Sequence, residues 1–168
     1  DVIAHSNDSP KAIFVSGYSS APLSADVEVA LKDKVASFQA GVDALRKLTS
    51  GKVHLSVNGK TNSILSGISG VELHKVFGPH PSGNVGVQIH HIDPINKGDI
   101  VWIVNAQDVA AIGIASVIHQ VATQAVTASI AKASGVSEAT VSRVLNGDES
   151  VHPDRAKRVH EAVDKLGY

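Results

Sequence analysis

The run IAKASGVSEATVSRVLNGDESVHPDRAKRVHEAVDKLGY, Ile130 to Tyr168, constrains the fold more than any other part of the chain, because it sets three short helical patterns around one tight turn. The turn falls at Ser134-Gly135-Val136, where Gly135 can take the left-handed backbone that lets two helices meet steeply. Ser137 is placed to cap a second helix. In that helix Val141, Val144 and Leu145 fall three and four apart and predict one buried stripe, so Glu138, Ala139, Ser142 and Arg143 point away from it. A helix with a buried seam and a small, polar outer face suits the major groove of DNA, where each base pair shows a distinct pattern of donors and acceptors. Asn146-Gly147 ends the pattern.

A third helix opens at His152-Pro153-Asp154, with proline where its missing N–H costs nothing. Its stripe, Ala156, Val159, Val163 and Leu166, is expected to close a small core over Ile130, Val141 and Val144. The runs GVSEATVSRVLNG and RAKRVHEAVDKLGY closely resemble the headpiece of LacI-type transcriptional repressors, over about the last quarter of the chain. The resemblance implies that Glu138, Ala139 and Arg143 face base edges while Ser137, Thr140, Ser142 and Asn146 approach phosphates. A guanidinium can pair bidentately with guanine, which singles out Arg143.

Two features depart from that family. A threonine usually caps its first helix one position before a branched apolar residue; here Val126 holds the cap slot and Thr127 the apolar one, so an irregular start is expected. The family's headpiece also opens its chain and precedes a minor-groove hinge helix and a sugar-binding domain. A single headpiece without them is expected to bind DNA weakly. From Gln124 onward Lys132, Arg143, Arg155, Lys157, Arg158 and Lys165 are matched by six acidic residues, a poor electrostatic footprint for nucleic acid. The same spacings would also serve a three-helix subdomain that only packs.

The whole chain of 168 residues has room for one domain and a small appendage. Its net charge of −1 argues against a generally basic nucleic-acid protein. With 43% hydrophobic but only 4% aromatic residues, the core is expected to consist of Val, Ile, Leu and Ala. The absence of cysteine excludes disulfides, thiolate zinc sites and cysteine nucleophiles. Methionine is absent too, and a chain opening on Asp1 is expected to be a fragment, a processed product or engineered. No uninterrupted apolar run reaches the ~18 residues of a membrane span, so a soluble chain is expected.

From Lys11 short apolar runs alternate with helical patterns. Strands are predicted at Ala12 to Val15, Lys52 to Val57, Gly70 to Phe77 and Ile100 to Val104. Tyr18 to Asp26 reads as a loop. An amphipathic helix carries Val35, Phe38, Val42, Leu45 and Leu48 and stops at Gly51; Asn105 to Ala111 also reads as helix. The alternation predicts an α/β fold: a Rossmann-like, mostly parallel sheet with helices on both faces, followed by the small all-α helix-turn-helix subdomain.

Phe77 to Pro94, FGPHPSGNVGVQIHHIDP, is the chemistry-bearing stretch of this part. Its loop, with Gly78, His80, Ser82, Gly83 and Asn84, is a candidate anion or ligand site: in such folds ligands bind beyond the strands' carboxyl ends, and N–H groups at Ser82 to Asn84 are expected to be free. The bland reading is a rigid, proline-punctuated connector. GPHPSG has neither phosphate-loop spacing nor the dinucleotide GxGxxG pattern. His80, His90 and His91 do not have metal-ligand spacing, since adjacent helical residues point about 100° apart, and no metal is expected. Ser16, Ser19 and Ser20 lack the GxSxG elbow of a hydrolase.

The segments AIFVSGYSSAPLSAD, FQAGVDALRKLTSGKVHLSV and FGPHPSGNVGVQIHHIDPINKGDIVWIVNAQDVAAIG together resemble the middle of the NqrA subunit of the bacterial sodium-translocating NADH:quinone reductase. This resemblance covers about Asp1 to Gly113 and ends at Ile114-Ala115-Ser116. It implies a peripheral subunit on the cytoplasmic face of a respiratory sodium pump, related in fold to the flavin-binding subunit of complex I. It implies no catalytic residue and no cofactor.

Between the two resemblances, Ile114 to Val126 has no Pro or Gly and is expected to extend the helix from Ala106 as a semi-rigid linker. The expected layout is therefore a reductase-like α/β domain over 1–113, a linker over 114–126 and a DNA-binding headpiece over 127–168. Because these families do not normally share a chain, a chimera is expected. Its partners would be double-stranded DNA at one end and sister subunits or quinone at the other, in the cytoplasm, without membrane insertion. The alternatives are a natural transcriptional regulator whose first domain binds a ligand or partner, and a stand-alone α/β enzyme.

Overall fold

Short segments rich in branched apolar residues build the centre of the first unit. In the computed structural model, which describes His5 and residues 7–148 and 150–168, four strands form one sheet: β1 (Ala12–Ser16), β2 (Lys52–Asn58), β3 (Glu72–Val76) and β4 (Val101–Asn105). Asp1 to Ala4, Ser6 and Glu149 lie outside the described residues, and with them the first residues of the expected reductase-like domain. Every pairing is parallel, in the order β3-β2-β1-β4. That is the mostly parallel, Rossmann-like arrangement expected, and the order reverses beside β1. Each predicted strand is present with its ends moved by no more than two residues.

Alternation along the strands assigns side chains to the two faces. Ile13, Val15, Val53, Leu55 and Val57 point to one face and pack with Leu31, Phe38, Val42, Leu45, Val109 and Ala110. These partners come from α1 (Val27–Leu31), α2 (Val35–Leu45) and α4 (Ala106–Ser134). Ala12 and Phe14 point the other way, under Ile89 of α3 (Val85–Ile92), with Val85, Ile92 and Val101 around them. The core is aliphatic apart from two phenylalanines, as the composition requires.

Three local expectations are corrected. A short helix, α1, follows the Tyr18–Asp26 loop, started by the Asp26 carboxylate, which accepts from the Glu28 amide. Leu48 is half exposed because the chain tightens into a 3₁₀ turn over Arg46–Leu48; the larger rotation per residue turns it out of the α2 stripe. β4 is an edge strand, and Ile103 is 49% exposed rather than covered.

The chain divides into two compact units, Asp1–Val117 and Ile118–Tyr168, with the division inside α4. Residues 114–126 are helical, as expected, so the helix leading into the turn has no separate start at Val126 or Thr127 and no irregular one. α4 bears on the membrane expectation without overturning it. Although no unbroken apolar run exists, an 18-residue window of this 29-residue helix is long and apolar enough by composition to cross a membrane. Its first turns, at Ala106, Val109 and Ala110, are buried in the first core, while Ile114, Val117, Ile118 and Val121 stand exposed.

In the second unit the end of α4, α5 (Glu138–Leu145) and α6 (Pro153–Leu166) enclose Ile130, Ala131, Val141, Val144, Val159 and Ala162. Val163 and Ala156 pack at the edge of this core, whereas Leu145 and Leu166, expected inside, are 49% and 42% exposed. Three short helical stretches cannot surround every apolar position of so small a core.

Candidate functional site

The α4–α5 turn follows from its residues. Gly135 has φ of +66°, which a side chain would strain, and its amide closes the end of α4 on the Ala131 carbonyl at 3.0 Å. Ser137 then caps α5: its hydroxyl accepts from the Thr140 amide at 3.3 Å and lies 2.9 Å from the Thr140 hydroxyl. With Val141 and Val144 buried, Glu138, Ala139, Ser142, Arg143 and Asn146 are left exposed along one side of α5. Thr140 is half-buried. Beyond the helix, the Ser150 hydroxyl and amide hold the Asp148 carboxyl below its usual range, and the nearby charge of Arg143 adds to this.

A depression of about 320 Å³ opens beside the first turn of α5, lined by Gly135, Val136, Ser137, Thr140, Arg155 and Arg158. Sequence reasoning noted the two arginines only as cations. Their i, i+3 spacing on α6 was the available signal, but which face of α6 meets α5 depends on packing.

In the first unit the GPHPSG loop is tied to the loop after β1. Gly83 donates its amide to the Ser20 hydroxyl at 2.8 Å, and that hydroxyl lies 3.2 Å from His80 Nδ1. The Ser82 amide bonds to the Pro79 carbonyl at 2.9 Å and the Asn84 amide to the Pro81 carbonyl at 2.8 Å. All three N–H groups expected to be free for an anion are therefore in use. Asn84 caps α3 through the Gly86 amide, and the Ser82 hydroxyl donates to the Gly78 carbonyl. The loop's amides are thus paired within the loop and with Ser20.

The histidines that do meet are others. His54 of β2 is the register partner of Glu72 in β3, and His74 follows two residues later on the same face. His54 Nδ1 lies 3.0 Å from His74 Nε2 and 3.3 Å from a Glu72 oxygen, while Lys52 Nζ sits 3.2 Å from the other Glu72 oxygen. The His54 ring is buried and stacked on Phe14, with centroids 4.6 Å apart. Burial pushes the pKa of His54 down, and the neighbouring His74 pushes it further; burial also lowers that of His74. His90 and His91 are edge-to-face neighbours on α3 and do not join this group.

Residues 1–140 match the family model described as the NqrA second alpha/beta domain. The chain belongs to that family. Its NqrA-type domain is 41% identical over 104 residues to the NqrA subunit of the Na(+)-translocating NADH-quinone reductase of Rhodopirellula baltica, a span of 62% of this chain and 23% of the relative. The same subunit of Vibrio alginolyticus is 41% identical over 105 residues, and that of Histophilus somni 40% over 104, with the same two shares. The chain thus spans less than a quarter of the length of these relatives. Residues 128–168 match a second family model, that of the bacterial regulatory proteins of the lacI family. Both models take in 128–140, the end of α4 and the turn into α5.

Proposed function

We propose that this chain is a chimera in which a non-catalytic NqrA-type domain carries a sequence-reading DNA-binding module of the LacI type. The carrying observation is α5: a helix capped by Ser137, locked at Val141 and Val144, with Glu138, Ala139, Ser142, Arg143 and Asn146 open to solvent. In this reading Glu138, Ala139 and Arg143 meet base edges in the major groove, and Ser137, Thr140, Ser142 and Asn146 approach phosphates. The depression holding Arg155, Arg158 and the α5 N-terminus suits one phosphate, which would gain from the helix dipole and both guanidinium groups. Clustered there, these two cations act locally although the region's charges cancel overall.

The NqrA-type domain, in the same reading, docks sister subunits of a reductase on the cytoplasmic face of the membrane or lies near its quinone, and supplies no catalytic residue. Its GPHPSG loop, with these amides paired, supports a role in positioning over one in phosphate binding.

Fluorescence anisotropy with duplex DNA, on a LacI-type palindrome and a scrambled sequence over a range of salt, tests the DNA reading. Affinity is expected to fall with salt by a log–log slope of about −0.9 for each phosphate neutralised, with tighter binding to the palindrome. A folded chain that shows no salt-dependent binding to either duplex overturns it.

A further inference from the structure

We propose that His54, Glu72 and His74 form a divalent-cation site of the zinc class on the α3-side face of the NqrA-type sheet. A parallel ladder places His54 opposite Glu72, and the pleat brings His74 round to the same side. The three ligand atoms lie within 4.8 Å of one another. Two of the separations, 3.0 Å from His54 Nδ1 to His74 Nε2 and 3.3 Å to the Glu72 oxygen, decide the argument. Zinc bonds of about 2.0–2.1 Å to nitrogen or oxygen place neighbouring ligands of a tetrahedron about 3.3 Å apart. The cluster therefore holds two edges of a tetrahedral face, and a small rotation of a side chain closes the third.

The donor set selects the ion. Two imidazoles and one carboxylate suit Zn²⁺, Co²⁺ or Ni²⁺ better than Mg²⁺ or Ca²⁺, which take all-oxygen shells. Three protein ligands leave a fourth position for water. Stacking on Phe14 fixes the His54 ring before any ion arrives, which reduces the ordering needed on binding.

Two features set the strength of the site. Among the described residues His54 Nε2 is buried without a protein partner, so none of them supplies the outer-shell hydrogen bond usual for a ligating histidine. Such partners are worth about 10–100-fold in affinity, and the site is weaker than a fully supported one by that factor. Lys52 holds the Glu72 oxygen that faces away from the cluster, and its exposed side chain can swing into solvent as the cation enters.

The competing reading is a hydrogen-bonded His–His pair with a surface ion pair beside it, and metal titration separates the two. The full chain is titrated with Zn²⁺ against a chromophoric chelator and with Co²⁺ by its visible absorption. Wild type is expected to bind one equivalent and to give the intense bands of tetrahedral cobalt. His74→Gln and Glu72→Gln, both at partly exposed positions and each checked for folding by circular dichroism, should weaken binding more than about tenfold, since a lost ligand costs more than a lost outer-shell partner. Replacing His90 and His91 together by glutamine should change nothing. Zn²⁺ should raise the Tm of wild type but not of His74→Gln. Absence of saturable binding, undiminished binding by either folded variant, or loss of binding in the His90/His91 variant overturns the proposal.

Discussion

The Gly83 amide donates to the Ser20 hydroxyl over 2.8 Å, and a Cβ on Gly83 would stand 2.1 Å from the Ser20 backbone nitrogen. The two loops therefore meet backbone to backbone, a contact only glycine permits. Gly83→Ala is expected to force them apart and lower stability by about 1–3 kcal/mol. Ser20→Ala, which removes a hydrogen bond but no space, should cost about 0.5–1.5 kcal/mol. Urea midpoints of both variants check this order; an unchanged midpoint for Gly83→Ala would show that the loops are not in contact.

A second expectation concerns acid. His54 is held neutral by burial, and its pKa in the fold lies below the ordinary value of 6.5. Above that value neither folded nor unfolded chain binds the proton. As pH falls below it the unfolded chain takes up protons that the fold refuses, so stability declines from about pH 6.5 downward through the folded pKa. His74 acts in the same direction. Urea midpoints of the metal-free protein between about pH 8 and pH 5 should fall with acidity, and His54→Leu should flatten the curve. A flat wild-type curve contradicts the burial of His54.

Arg143 separates base reading from mere packing. Its side chain is exposed on α5. Arg143→Ala should cost about 1–3 kcal/mol against a preferred palindrome and much less against scrambled DNA at the same salt. Lys157→Ala should discriminate between neither. Equal losses on both duplexes would remove the claim that α5 reads sequence.

Residues 114–126 form the proposed boundary. The helix is continuous there, yet residues 117–125 are all exposed, so no core holds this stretch of helix against fraying. Limited proteolysis with mass mapping should cut within 114–126 and leave two folded pieces. First cuts in α2 or α6 would place the boundary elsewhere.

The helix-turn-helix is legible in the sequence because each of its signals is local. Gly135 closes a turn, Ser137 caps the next residues, Val141 and Val144 lie on one side of α5, and Pro153 starts α6. The strands were equally legible, since the apolar runs of β1 and β4 and the apolar–polar alternation of β2 are properties of neighbouring residues. Leu48 and Leu145 failed where a local stripe met a non-local limit: a 3₁₀ turn rotated one away, and the other lay beyond the small core.

By itself, then, the sequence determined the four strands and the longer helices, though not α1, where the helix-turn-helix turns, and which families the two parts resemble. Only the tertiary structure decided that the Ser82 to Asn84 amides are already engaged, one by Ser20 from a distant loop, and that Arg155 and Arg158 share a depression with Ser137. It alone brought His54 to His74, twenty residues away, whereas His90 and His91, neighbours in sequence on α3, lie outside this group. The physical reason is register. The pleat says which face a side chain takes, but only strand pairing says which residue of another strand stands opposite it.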